Sequence, residues 1–157
     1  MILAAHSDAS FLTEPGSRSR AGAHIFLSKD DPITHTNGPI LSISQTIKFV
    51  MASAAEAELA AMYHTACEMI PLYNALEDMG WKQPKSPIQT DNAIADAVIN
   101  GKIQPKQTKA MDMRFHWLSD RECQQQFCIY WRPGKSNYTD YWTKHHPAKH
   151  HQKTRQD

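Results

Sequence analysis

A chain of 157 residues is long enough for one domain with a real core. Its 41% hydrophobic and 21% charged residues exclude a disordered or fibrous chain, and no apolar run approaches membrane-spanning length. A formal net charge of +1 gives little long-range field, so any grip on a polyanion has to come from a local basic face.

In chain order, Ile2 to Asp8 reads as a short strand ending at an acid, and Gly22 to Ser28 as a second strand. The loop between Lys29 and Pro39 is rich in turn formers, with Asn37-Gly38 the strongest signal. Ile40 to Val50 alternates as a third strand, which completes an antiparallel meander. Ala55, Leu59, Met62, Ala66 and Ile70 then repeat at helical spacing and predict a helix over Ser53 to Met79, kinked at Pro71 and closed by Gly80. A brief strand, Ile88 to Thr90, runs into Asp91, followed by a short helix from Asn92 to about Asn100. A longer helix is expected from Met111 to Gln126, a last strand over Phe127 to Trp131, and a final short helix near Asn137. The order βββαβααβα implies mixed α/β, with an antiparallel start and parallel crossovers later. One domain over residues 1–147 is expected, with 148–157 a polar, His-rich, disordered tail.

Cys67, Cys123 and Cys128 form no CxxC pair, which favours a reduced, intracellular setting over a zinc ribbon or disulfide framework. The apolar start, Met1 to Ala5, is too short for a signal peptide.

Four acids sit at the ends or first turns of these elements: Asp8, Glu58, Asp91 and Asp140. Singly, each is an ordinary strand terminus or helix start. On the main helix Glu56 and Glu58 flank the apolar stripe on opposite sides, and periodicity does not choose between them. Ser53 followed by Glu56 is a capping-box spacing, which gives Glu56 a structural role and leaves Glu58 free.

The segments "SDAS", "SAAEAELAA", "TDNA" and "GKSNYTDYWTKHHP", in this order, resemble the ribonuclease H domain of copia-type LTR retrotransposons, and "TKAMDMRFHWL" resembles the helix before its last strand. The likeness runs from Ile2 to Pro147. It implies a ribonuclease H-like fold: a five-stranded mixed sheet, three antiparallel strands then parallel crossovers, flanked by helices. It also implies an endoribonuclease that cuts the RNA strand of RNA/DNA hybrids during reverse transcription. The family's four carboxylates fall on Asp8, Glu58, Asp91 and Asp140, which would hold two Mg²⁺ ions, with Mn²⁺ as a substitute. In the family's pattern Asp8 bridges the ions, Glu58 and Asp91 serve mainly one, and Asp140 serves the other. Glu58, Asn92 and main-chain groups from Asp8 to Ser10 are candidates to read the 2′-hydroxyl. Lys102, Lys106, Lys109, Arg114 and Lys135 are candidates for phosphate contacts, and Asn137 is a further substrate-binding candidate. A neighbouring reverse transcriptase domain is the implied partner, and a cytoplasmic virus-like particle the implied setting of an active element.

Two departures from the family stand out. No histidine lies in the loop from Arg132 to Thr139, where cellular relatives carry one, and Ala110 stands where copia-type sequences have His. The alternatives are a catalytically weak binding or scaffolding module of the same fold, which would normally lose an acid, and an integrase-type transferase, which the Asp91/Asp140 pattern fits less well.

Overall fold

The computed structural model describes residues 1–30, 37–93, 97, 112–134, 137, 139–144 and 146–154. Five strands, β1 (Ile2–Glu14), β2 (Arg18–Ser28), β3 (Leu41–Thr46), β4 (Ser86–Thr90) and β5 (Phe127–Trp131), form one sheet in the order β3-β2-β1-β4-β5. β1, β2 and β3 are antiparallel neighbours, whereas β1–β4 and β4–β5 are parallel pairs. The helices are α1 (Ala54–Asp78), α2 (Asp112–Cys123), α3 (Asp140–Thr143) and α4 (Ala148–Thr154). The five-stranded mixed sheet with flanking helices is the one implied by the family resemblance, and its antiparallel start and parallel crossovers are those implied by the element order.

The sheet's period of two decides which side chains meet α1. Leu3 and Ala5 of β1, Ala23 and Ile25 of β2, Ile88 of β4 and Ile129 of β5 bury against the α1 stripe of Leu59, Met62, Ala66 and Met69. Leu118 of α2 closes this core. The intervening residues, His6 and Asp8 among them, face the other way. Near the start of α1 the contact residues shrink to Ala57, Ala60 and Ala61, packed with Ala21, Ile47 and Met51. These small side chains let the helix start approach the sheet closely.

Several boundaries differ from expectation. β1 runs on past Asp8 because its ladder with β2 continues, pairing Asp8 with Gly22 and Ser10 with Arg20 before an irregularity leading to Glu14. Asp8 is therefore inside a strand. β3 stops at Thr46, and Ile47 and Met51 turn into the core instead. α1 continues through Pro71, which lies on its exposed face, where water can serve the carbonyl that loses its bond. Gly80, at φ +86°, ends the helix in a Schellman motif: its N–H bonds the Glu77 carbonyl and the Trp81 N–H that of Leu76. Most of the helix expected over 92–100 lies outside the described residues.

The tail after Pro147, expected to be frayed, contains α4. Aromatic and imidazole contacts hold it: the Tyr141 hydroxyl bonds His151 Nδ1 at 2.8 Å, and the His146 and His150 rings stack at 4.1 Å.

One buried side chain ties the start of β1 to the loop before β4. Gln83 Oε1 accepts the Leu3 N–H at 2.8 Å, its amide nitrogen donates to the Trp81 carbonyl, and its own carbonyl accepts from Tyr73. Gln83→Ala would strand the buried Leu3 N–H. The expected loss is about 1–3 kcal/mol in chemical denaturation, with the m-value unchanged.

Candidate active site

Three strands and two helices bring the acids together. β1 and β4 are in parallel register, with Ala5 beside Ile88 and His6 beside Gln89. Two residues further along, the same register sets Asp8 beside Asp91 on the face turned away from α1. Asp140 arrives as the first residue of α3, which follows the loop after β5. Ligand oxygens of Asp8, Asp91 and Asp140 all lie within 4.8 Å of one another.

Glu58, in the first turns of α1, is near enough to feel the charges of Asp8 and Asp91 but is not one of the residues whose ligand oxygens lie within 4.8 Å of one another. Its Oε1 accepts the Ala9 N–H at 3.1 Å, and its Oε2 is buried with no hydrogen-bond partner among the described residues. Glu56 points elsewhere. Its amide N–H donates to Ser53 Oγ, and its carboxylate takes the Ala52 N–H at 2.6 Å, one residue before the cap. The capping spacing thus separates the two glutamates, although the reciprocal bond goes to Ala52 and not to Ser53.

Crowding like charges in a poorly hydrated place disfavours ionisation. Burial pushes the Asp8 carboxyl up to about 6, with repulsion from Asp91 and Asp140 adding to it and the hydrogen bond from Thr143 opposing it. Burial, then the charges of Asp8 and Asp91, push Glu58 up to about 9. Burial and Asp140 raise Asp91 as well. Lys144 is the nearby cation, with Nζ 2.5 Å from Asp140 Oδ1.

Several supporting groups carry no periodic signal and were not singled out from the sequence. The Thr143 hydroxyl donates to Asp8 Oδ2. Trp131 Nε1 donates to the Asp91 carbonyl at 2.9 Å. Gly134 packs so close that a Cβ there would lie 2.9 Å from Asp91 Oδ2.

The substrate-binding candidates fare unevenly. Asn92 follows Asp91 directly and is half-buried, with its N–H on Thr90 Oγ1. Ser10 is buried and its hydroxyl is shared with Thr13, which leaves its main chain as the group offered near Asp8. Asn137 is also buried: its amide donates to the Ser7 carbonyl and its oxygen accepts the Thr139 N–H, which ties the loop to β1. Arg114 lies over the Phe49 ring, 5.6 Å from its centroid. Lys102, Lys106, Lys109 and Lys135 lie outside the described residues, as does Ala110.

No family model matches the chain. Its fold is that of ribonuclease H. LC11-RNase H1, solved in complex with an RNA/DNA hybrid, superposes with a TM-score of 0.67 at 12% identity, covering 89% of this chain and 92% of that one. The N-terminal ribonuclease H domain of a Mycobacterium tuberculosis protein gives 0.63 at 14% identity, covering 90% and 89%. In sequence, the chain is 28% identical over 119 residues to the retrovirus-related Pol polyprotein from transposon TNT 1-94 of Nicotiana tabacum. That match takes in 76% of this chain and spans 8% of the polyprotein. The resemblance to a retrotransposon ribonuclease H domain is thus met by fold and by sequence alike.

The raised carboxyls make metal-free stability depend on pH. Buried His6, lowered to about 4 by burial and then by His24 and Arg132, costs stability as pH falls from its ordinary value of 6.5 toward 4, and so has little effect above pH 7. Above pH 7 the main contributor is Glu58, faced by Asp8, Asp91 and, with opposite sign, Lys144. Its carboxyl keeps a proton in the fold that the unfolded chain has given up. That stability is fully present below the unfolded value of 4.5 and is lost as pH rises through about 9. Melting temperature in excess chelator is expected to fall from pH 7 to 9, and Glu58→Gln to flatten that fall. A parent curve already flat over this range would contradict the burial of an ionisable Glu58.

Proposed function

We propose that the chain is an endoribonuclease that hydrolyses the RNA strand of RNA/DNA hybrids, using two Mg²⁺ or Mn²⁺ ions held by Asp8, Glu58, Asp91 and Asp140. The observation that carries this is the convergence of three aspartate oxygens within 4.8 Å; the buried Glu58 Oε2, which has no partner among the described residues and feels the charges of Asp8 and Asp91, adds to it. A purely structural cluster would pair that oxygen, whereas hard carboxylate donors left open fit a small divalent cation. Such ions, when bound, activate a water and stabilise the leaving 3′ oxygen of an in-line displacement.

The remaining work belongs to the chain's own residues. The Ala9 N–H and Thr143 hydroxyl orient Glu58 and Asp8, and Lys144 offsets charge at Asp140. Asn92 and the main chain beside Asp8 are close enough to the acids to meet a 2′-hydroxyl, the group by which RNA is told from DNA. The hybrid as substrate is supported by the family resemblance and by the fold neighbour solved with one. A reverse transcriptase domain is the proposed partner, supported by the likeness to a Pol polyprotein. The free cysteines agree with an intracellular setting, cytoplasmic if the element is active.

Labelled RNA/DNA hybrid, duplex RNA and duplex DNA, each incubated with Mg²⁺, test this reading. Cleavage confined to the RNA of the hybrid is expected. Asp91→Asn and Glu58→Gln should lower the rate by orders of magnitude with the fold retained. Glu56→Gln should cost about 1 kcal/mol of stability and spare cleavage. Hybrid binding without cleavage would favour the scaffolding module, and full cleavage in excess chelator would sink the role of the cations.

A further inference from the structure

We propose that Thr143 is a positioning residue for Asp8, its hydroxyl fixing the plane in which that carboxylate faces Asp91 and Asp140. This rests on the reading of the acids as cation ligands.

The bond joins residues 135 positions apart, and both partners are buried, Asp8 at 2% and Thr143 at 5% exposure. Water cannot readily replace the donor there. A threonine hydroxyl has one hydrogen to give, and its other neighbour, the Thr139 carbonyl, is distant at 3.4 Å. Asp8 takes the hydrogen.

The surroundings are shaped for this contact. The β2 residue opposite Asp8 is Gly22. A Cβ at Gly22 would lie 2.5 Å from Thr143 Cγ2 and 3.1 Å from Thr139 Cγ2. A side chain there would force the Thr143 side chain, or α3 with it, to shift, and the hydroxyl would move with them. Further ties hold α3 in place: Ser44 Oγ donates to the Trp142 carbonyl at 2.8 Å, and His146 Nε2 meets the Asp140 carbonyl at 2.8 Å.

Thr143 also lies three residues after Asp140 in the same helical turn. One short element therefore delivers an acid to the cluster and, with the same placement, orients an acid on the central strand. A hydroxyl at this position couples the two ends of the site. Outer hydrogen bonds of this kind typically change metal affinity by 10- to 100-fold when removed.

The test compares the parent with Thr143→Val, which keeps shape and loses the donor, and Thr143→Ser, which keeps the donor. Mg²⁺ alone is titrated while melting temperature is followed, and kcat and KM on hybrid are measured separately. Val is expected to need about 10- to 100-fold more Mg²⁺ for half the thermal shift and to lose kcat with KM little changed. Ser should restore both. Val matching the parent in Mg²⁺ response overturns the inference while leaving the hydrolytic reading intact. If Val does not fold, Gly22→Ala supplies the second variant, since it displaces the hydroxyl without removing it; an unchanged Mg²⁺ response there also overturns the inference. A parent that binds Mg²⁺ but cuts no hybrid sinks the hydrolytic reading alone, and a parent that binds no Mg²⁺ sinks both.

Discussion

Carboxylates confined within a few ångströms repel one another, and burial deprives them of the water that would soften the repulsion. Much of this molecule is arranged around tolerating that. The parallel pairing of β1 and β4 forces Asp8 and Asp91 side by side. The alanines of α1 let its first turns come near enough for Glu58 to join them. What keeps the cluster from flying apart is a small set of donors: the Ala9 N–H on Glu58, the Thr143 hydroxyl on Asp8 and the Lys144 ammonium on Asp140. Each satisfies one oxygen, and at Glu58 the second, Oε2, is left without a partner among the described residues.

The same constraint explains why the polar residues of β1 sit where they do. A strand covered by apolar layers on both faces would ordinarily read as a continuous apolar run. Here the α1 side is apolar, with Leu3 and Ala5, whereas the opposite side carries His6 and Asp8. The imidazole of His6 meets Phe26 edge-on, with ring centroids 5.2 Å apart, so it is packed as an aromatic. The strand is therefore a core element on one face and a chemical platform on the other.

Element types were legible where the pattern was long or clean. The alternation over Phe127 to Trp131 matches β5 residue for residue, and the helical stripe from Ala55 to Ile70 places α1. The end of β1 was not legible, because Asp8 reads as a strand terminus when the ladder partners of Asp8 and Ser10 on β2 are unknown. Capping chemistry separated Glu56 from Glu58 because it is local, whereas Thr143 on Asp8 and Gln83 on Leu3 are contacts between distant parts of the chain. Asn137 is a substrate-binding candidate in the sequence, and only the fold shows its amide bonded to the Ser7 carbonyl. Composition and spacing report neighbours in sequence; the supporting shell of this site is made of neighbours in space.

α3 is only four residues long and is held by a handful of polar contacts to β1, β3 and the following segment. The sheet and α1, by comparison, share a continuous apolar core. Local openings draw on the weakest contacts first. Detaching α3 would remove Asp140 and release Asp8 at once, yet leave the sheet standing. Opening of α3 and global unfolding are thus two separate thermometers on one molecule, the first resting on the weaker set of contacts.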